Sequence, residues 1–279
     1  MASPGGDSGD RGEAMEMASP KELVDAVLDG TVLTDKPVVV LPLGATEQHG
    51  QHLPFETDTL IAQGVCERLS RQLSNDLDVH FLPVEAIGYS PEHMDHAGSK
   101  TLTYGDAIER WTQIGEQAAK AGARRFLLLN AHGGNSPLMS IVAQELRVRC
   151  SMLAVATSWT RFIKQSGIVA ANEEAFGIHG GDIETSVMLA LHPDLVKMAQ
   201  ARDFPNLQEM LAINCKHLRA YGPHAFGWKA ADLNPLGVTG NAGMATAEKG
   251  EKLLNLAVDG LKELLDEIAA FDLSLLKDA

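Results

Sequence analysis

Cysteine is scarce in this chain: Cys66, Cys150 and Cys215 are the only three in 279 residues, and no two are neighbours in sequence. An odd, scattered set builds neither a disulfide framework nor a zinc knuckle, so a reducing compartment is expected, and the cytoplasm is the natural one. Long apolar runs are missing as well. None approaches the roughly 18–20 residues that a membrane span needs, and the N-terminus lacks the apolar core of an export signal. Basic charge is in short supply, with 23 Lys and Arg against 37 Asp and Glu, a formal net charge of −14. Nucleic acids and anionic membrane surfaces both select for Lys and Arg, so neither is expected as the main partner. Two catalytic signatures are absent too. No Gly-x-Ser-x-Gly elbow argues for a serine hydrolase, and no P-loop or Gly-x-Gly-x-x-Gly turn follows a strand to hold a nucleotide.

What is present is ordinary globular material, 45% hydrophobic and 22% charged, long enough to build a core without staples. Residues 1–19 are small, polar and Gly-rich and read as a disordered tail. From Pro20 to residue 279 the composition is even, with no repeat or linker, which implies a single domain. Apolar runs at Val38–Leu43, Val79–Val84, Arg125–Asn130 and Leu153–Thr157 have strand length, although Pro83 weakens the second. Between and after them, helical spacing covers about 57–73, 103–121, 136–149, 182–191 and 242–269. Thr57 is expected to cap the first of these helices, and Ser136-Pro137 to supply N-cap and N1 of the third. Strand and helix in alternation predict an α/β fold, a three-layer α/β/α sandwich around a mostly parallel sheet. The stretch 203–241 reads as irregular, with Tyr221-Gly222-Pro223 and Trp228 suited either to a lid or to a plain surface loop.

Ligands of open parallel sheets bind beyond the carboxyl ends of the strands, and three segments carry metal-type donors there. In the first, Glu47 and His49 lie two residues apart, so an extended backbone projects both to one side. Asp58 follows at a helix start, placed to bridge; the plain alternative is a polar loop with a capping acid. In the second, His132 directly follows the strongest strand and precedes Gly133-Gly134, which lets backbone approach a ligand closely. In the third, His179-Gly180-Gly181 leads into an apolar helix with Glu184 near its N-terminus, where an ionised carboxylate is favoured. Mixed carboxylate and imidazole donors suit zinc, manganese or iron rather than calcium. The set exceeds one tetrahedral site and would serve two metals sharing an activated water. Of the remaining histidines, His52 is a candidate to hydrogen-bond a ligand from behind, while His93 and His96 sit in a polar segment that could edge the pocket. Trp159 either walls the site or packs.

These same segments resemble the creatininase (creatinine amidohydrolase) family. The similarity is carried by Leu43-Gly44-Ala45-Thr46-Glu47-Gln48-His49-Gly50 with Thr57-Asp58-Thr59, by Asn-Ala-His-Gly-Gly-Asn at 130–135, and by His-Gly-Gly-Asp-Ile-Glu-Thr-Ser at 179–186. Gly88-Tyr89-Ser90-Pro91-Glu92-His93 resembles a further family segment. The resemblance implies a hydrolase that cleaves C–N bonds of cyclic or related amides with two divalent metals, in a cytosolic homo-oligomer. Carried over by position, Glu47, His49, Asp58 and His132 are metal ligands, Asp58 bridges, and His179 shuttles protons. Ser90, His93, Gly133 and Phe176 are the expected substrate contacts. Two departures stand out. Creatininase has a metal-binding Glu where this chain has Gly134, and Glu184 is the expected replacement. It also has a Trp where this chain has Ala175, with Phe176 as a partial substitute, so creatinine itself is not the expected substrate. The reading is a dinuclear metal-dependent amidohydrolase, acting on a small cyclic or substituted amide and not on peptide bonds. The alternatives are a formamide deformylase, an enzyme that trims a modified peptide, and a non-catalytic protein that binds a small ligand through its metals.

Overall fold

The structure, a computed structural model, describes residues 17–277, so the expected tail lies outside the described residues except for residues 17–19. Ser19 already belongs to structure. It caps α1 (Pro20–Leu28), its hydroxyl accepting from the Glu22 N–H while the Glu22 carboxylate accepts from the Ser19 N–H. That reciprocal Ser-x-x-Glu pattern is a helix-start signature, and α1 is not among the helices expected from spacing.

Four parallel strands form the sheet: β1 (Val38–Leu43), β2 (Val79–Phe81), β3 (Arg125–Asn130) and β4 (Leu153–Ser158), in the order β2-β1-β3-β4. Helices α2 (Thr57–Gln72), α3 (Tyr104–Lys120) and α4 (Ser136–Cys150) connect them. Alternation along each strand sends successive side chains to opposite faces. Val38, Val40, Leu127 and Leu129 pack with α2 on one face, while Val39, Leu41, Phe126 and Leu128 pack with α1, α3 and α4 on the other. Every residue of β1 and β3 is buried, as expected of central strands covered on both sides. The α/β/α expectation therefore holds.

The second half completes the first face. Helix α5 (Ala171–Phe176) leads into α6 (Asp182–Leu191), and the long α9 (Ala247–Ala270) lies against α6 and α2, adding Leu253, Leu254, Val258, Leu261 and Leu265 to the core. The span 203–241 is more ordered than its sequence suggests. It holds β5 (Asp203–Phe204) paired antiparallel with β6 (Gly240–Asn241), and between them α7 (Leu207–Asn214) and α8 (Ala230–Leu233). Leu211, Ala220 and Leu233 make a small core of their own, with Tyr221, Phe226 and Trp228 packed on it.

Several boundaries differ from expectation for local reasons. Thr57 does not cap α2: it is the first helical residue, and its hydroxyl donates to the Pro54 carbonyl. The N-cap of α4 is Asn135, one residue earlier than expected. β2 stops at Phe81 before Pro83, which cannot donate to the ladder. α9 begins at Ala247 under the Thr246 cap, after a short 3₁₀ turn at Ala242–Met244. No helix among the described residues is long and apolar enough to cross a membrane.

Candidate metal centre

The loops after β1 and β3 and the turn before α6 meet beyond the carboxyl edge of the sheet. Asn135 ties two of them to the neighbouring Tyr89 segment. Its amide N–H groups donate to the Gly44 carbonyl and to Asn130 Oδ1, both at 3.1 Å, and its Oδ1 accepts from the Tyr89 N–H at 2.9 Å. Ser99 Oγ accepts from the Gln48 N–H at 3.0 Å, holding the stretch between Glu47 and His49. The motif containing Asn135 is visible in the sequence, but this bracing role is not.

The donor atoms converge. His132 Nδ1 lies 3.1 Å from Glu47 Oε1 and 3.2 Å from Asp58 Oδ2. His49 Nε2 lies 3.3 Å from Asp58 Oδ1 and 3.7 Å from Glu184 Oε2. The two oxygens of Asp58 thus address two different imidazoles. Each ring is oriented from behind by a carbonyl, which can only accept: His49 Nδ1 donates to Glu47 O at 3.0 Å and His132 Nε2 to Tyr89 O at 3.0 Å. In the neutral rings the nitrogens that face the carboxylates are therefore bare lone pairs. Lone pairs set against carboxylates repel unless a cation lies between them. Both oxygens of Glu47, Asp58 Oδ2 and His49 Nε2 are buried without a hydrogen-bond partner, a costly condition for polar atoms that a bound metal relieves. The donor set fits divalent ions of the zinc, manganese and iron type.

Electrostatics agree. Burial works against a proton on His49, yet the Asp58 carboxylate, with Glu184 and Glu47 behind it, overcomes burial and pushes the imidazole up to about 9. His132 is also raised despite its burial, by Glu47 and Asp58. Burial pushes the Glu184 carboxyl up to about 7. Asp58 is held well below the usual carboxylate range, the nearby His49 and His132 outweighing burial. Carboxylates that attract protons to these rings suit a cation for the same reason.

His179 lies close to the donors. Its Nε2 donates to the Gln48 carbonyl at 2.6 Å, and its Nδ1 stands 3.5 Å from Glu47 Oε1. Its ring centroid is 4.1 Å from that of His49 and 4.3 Å from that of His93. Burial and the facing His49 and His93 depress its pKa well below that of a free imidazole. His93 is buried, with Nε2 3.5 Å from Glu47 Oε1, and burial lowers it to about 4. Among the described residues, three groups have donor atoms close enough to share an ion: Glu47-Asp58-His132, His49-His179-Glu184 and Glu47-His93-His179.

The other expected contacts divide. Ser90 is buried, with Oγ 3.1 Å from His132 Nε2, so it acts on that ring. Gly133 is exposed, with open space where a side chain would project. Phe176 lines a separate cavity with Glu173, Asp182 and Lys249. His52 donates to the Gly180 carbonyl at 2.8 Å and stacks on Phe204, linking two donor loops. Glu173 carries no signal in the sequence. Its buried carboxylate accepts from the Asp182 and Asn241 N–H groups, both at 2.7 Å, and braces the turn that carries His179 and Glu184.

The family description for creatininase, "Creatinine amidohydrolase", matches residues 28–265. The chain belongs to the creatininase family. It is 29% identical over 248 residues to creatinine amidohydrolase of Pseudomonas putida, covering 82% of this chain and 89% of that one. It is also 29% identical over 237 residues to the mycofactocin precursor peptide peptidase of Mycolicibacterium smegmatis, covering 80% of this chain and 82% of the relative. A solved manganese creatininase superimposes with a TM-score of 0.69 at 26% identity, covering 90% of this chain and 95% of that one. Creatininase-family members hydrolyse amide bonds with metal ions, and the cluster described above lies within the matched range. The Gly134 departure has a structural reason. A Cβ there would overlap the Tyr89 carbonyl oxygen and His132 Nε2, so in this chain the Tyr89–Glu92 segment takes the space that a larger residue would need.

Proposed function

We propose that this creatininase-family protein is a dinuclear metal-dependent amidohydrolase that cleaves a C–N bond of a small cyclic or substituted amide other than creatinine. The observation that carries the reading is Asp58, whose Oδ2 faces His132 Nδ1 at 3.2 Å and whose Oδ1 faces His49 Nε2 at 3.3 Å. Glu47, Asp58 and His132 would hold one ion, and His49, Asp58 and Glu184 the other, zinc, manganese or iron in either place. When bound, such ions polarise a carbonyl and bring the pKa of water toward neutrality.

The chain's own residues supply the rest. With Nε2–H anchored on Gln48, His179 presents a bare Nδ1 toward the donors, suited to take a proton from water and pass it to the leaving nitrogen. Its depressed pKa keeps that nitrogen free at neutral pH. Ser90 and the Tyr89 carbonyl keep His132 in one tautomer. His93 borders Glu47, and Gly133 leaves an open edge where a substrate amide can lie.

A peptide amide is the second reading, favoured by the 29% identity to a precursor-peptide peptidase. Elemental analysis of gently purified protein should return close to two divalent ions per chain. The loaded protein is then offered lactams, cyclic ureas, formamides and short peptides. Protein that cannot be loaded would end the metalloenzyme reading, and cleavage confined to peptides would replace the first substrate class by the second. The expected homo-oligomer is part of this proposal, and light scattering on the same sample tests it.

A further inference from the structure

Of the five expected ligands, four are sealed: the side chains of Glu47, His49, Asp58 and His132 are 0%, 0%, 2% and 4% exposed. Glu184 is 16% exposed. Among these five, a small molecule reaching the cluster first meets Glu184. A cavity of about 220 Å³ has Glu184 in its wall, and its other large walls are Ile163, Ile178 and Ile183. Ile163 is buried in the core, which fixes that wall, whereas Ile178 shows 37% of its surface. Lys164 and Glu174 also line the cavity and are exposed. Lys164 and Glu174 carry opposite charges that offset each other, which leaves the proposed ligand Glu184 and the Thr160 hydroxyl as the polar groups at the apolar wall. Concave sites with apolar walls and a few polar groups are where ligand surface is buried.

We propose that this cavity holds an uncharged aliphatic group of the substrate, so that the preferred amides carry a branched or cyclic hydrocarbon substituent next to the scissile bond. The proposal rests on the dinuclear reading, because that reading makes Glu184 a ligand of one of the ions on which the amide would lie, so that part of a bound substrate extends past Glu184 into this cavity. Three isoleucines supply apolar area without a hydrogen-bonding partner, which favours hydrocarbon over a polar head. Each methylene buried there is worth roughly fourfold in affinity. A substituent that stays in water gains nothing.

Hydroxamic acids test this without any known substrate, because their two oxygens chelate a divalent ion and leave the acyl chain to report on the cavity. Calorimetry on the metal-loaded protein compares acetohydroxamate with isovalerohydroxamate and cyclohexanecarbohydroxamate. The expected result is a gain of roughly 10-fold or more for the larger acyl groups. Ile178→Asp, which places a charge in the wall at an exposed position, should bring that ratio down to about one. Equal affinities across the series in the unsubstituted protein would overturn the aliphatic cavity while leaving the metal centre standing. Absence of hydroxamate binding to protein shown to carry its ions would overturn both, because no ion would then be open to a ligand.

Discussion

His179 Nδ1 stands 3.5 Å from Glu47 Oε1, while the opposite nitrogen of the ring is fixed on the Gln48 carbonyl at 2.6 Å. The ring is therefore aimed, and its free nitrogen points at the donor cluster. Two roles are compatible with that aim, a proton carrier and an additional ligand. Without His179, each proposed ion keeps three donors: Glu47, Asp58 and His132, or His49, Asp58 and Glu184. We predict that His179→Ala retains its metal and loses about 10²–10⁴-fold in kcat, the usual worth of a positioned acid–base group. Metal stoichiometry and kcat on one preparation decide it. Loss of an ion together with activity would make His179 a ligand.

The donor set is legible in the sequence because its chemistry is local. Glu47 and His49 two residues apart, His132 at the end of an apolar strand, and Glu184 in the first turn of α6 each announce themselves by type and spacing. Their convergence follows from one rule, that loops at the carboxyl edge of a parallel sheet meet. The sheet is equally legible, since β1 and β3 are continuous apolar runs. What does not show in the sequence is cooperative. Glu173 looks like any helix acid until α5, α6 and β6 fold around it, and Asn135 looks like a turn residue until three segments share it. The expectation for Phe176 rests on its closeness in sequence to Ala175, and the path of α5 directs it to another cavity. The order in 203–241 is hidden because α7 and α8 are short and share one small core with the segment between them.

Glu184 should prove to be a ligand of one ion only. Its Oε2 accepts from the Gly180 N–H at 2.7 Å and faces His49 Nε2 at 3.7 Å, and it shares a donor group with His49 but not with His132. Glu184→Gln keeps the shape and removes the charge. The variant is expected to bind one ion as before and the second about 10–100-fold more weakly, the range for disturbed metal shells. Competition with a calibrated chelator measures both. Two ions held with unchanged affinity would reduce Glu184 to a first-turn acid of α6.

Gly134 offers a test in the opposite direction. Restoring a larger residue at this position should not rebuild a ligand, because even a methyl group there meets the Tyr89 carbonyl oxygen and His132 Nε2. Gly134→Ala is predicted to cost about 1–3 kcal/mol of stability, as overpacking commonly does. It should also weaken the ion on His132, because the ring must turn away from Glu47 and Asp58. Denaturant unfolding and metal titration on the same variant would check this. A variant with unchanged stability and metal affinity would show that the Tyr89–Glu92 segment yields freely.

Metal binding should be coupled to proton release, and the sign follows from His49. In the metal-free protein its imidazole is pushed up to about 9, against burial, by Asp58, Glu184 and Glu47. At pH 7 the metal-free site therefore holds a proton on the nitrogen that the ion needs, and a ligand imidazole must be neutral. Binding expels that proton. Affinity for the ion on His49 is expected to rise about tenfold per pH unit between pH 7 and about 9 and then to level off. Because the ion binds only the folded chain, the stability that it adds follows the same course. Calorimetric titration in buffers of different ionisation enthalpy counts the protons directly, and at pH 7.5 we expect close to one for this site. A heat that does not depend on the buffer would mean that His49 is already neutral in the metal-free protein. Asp58 and Glu184 would then not act on its ring as their distances imply.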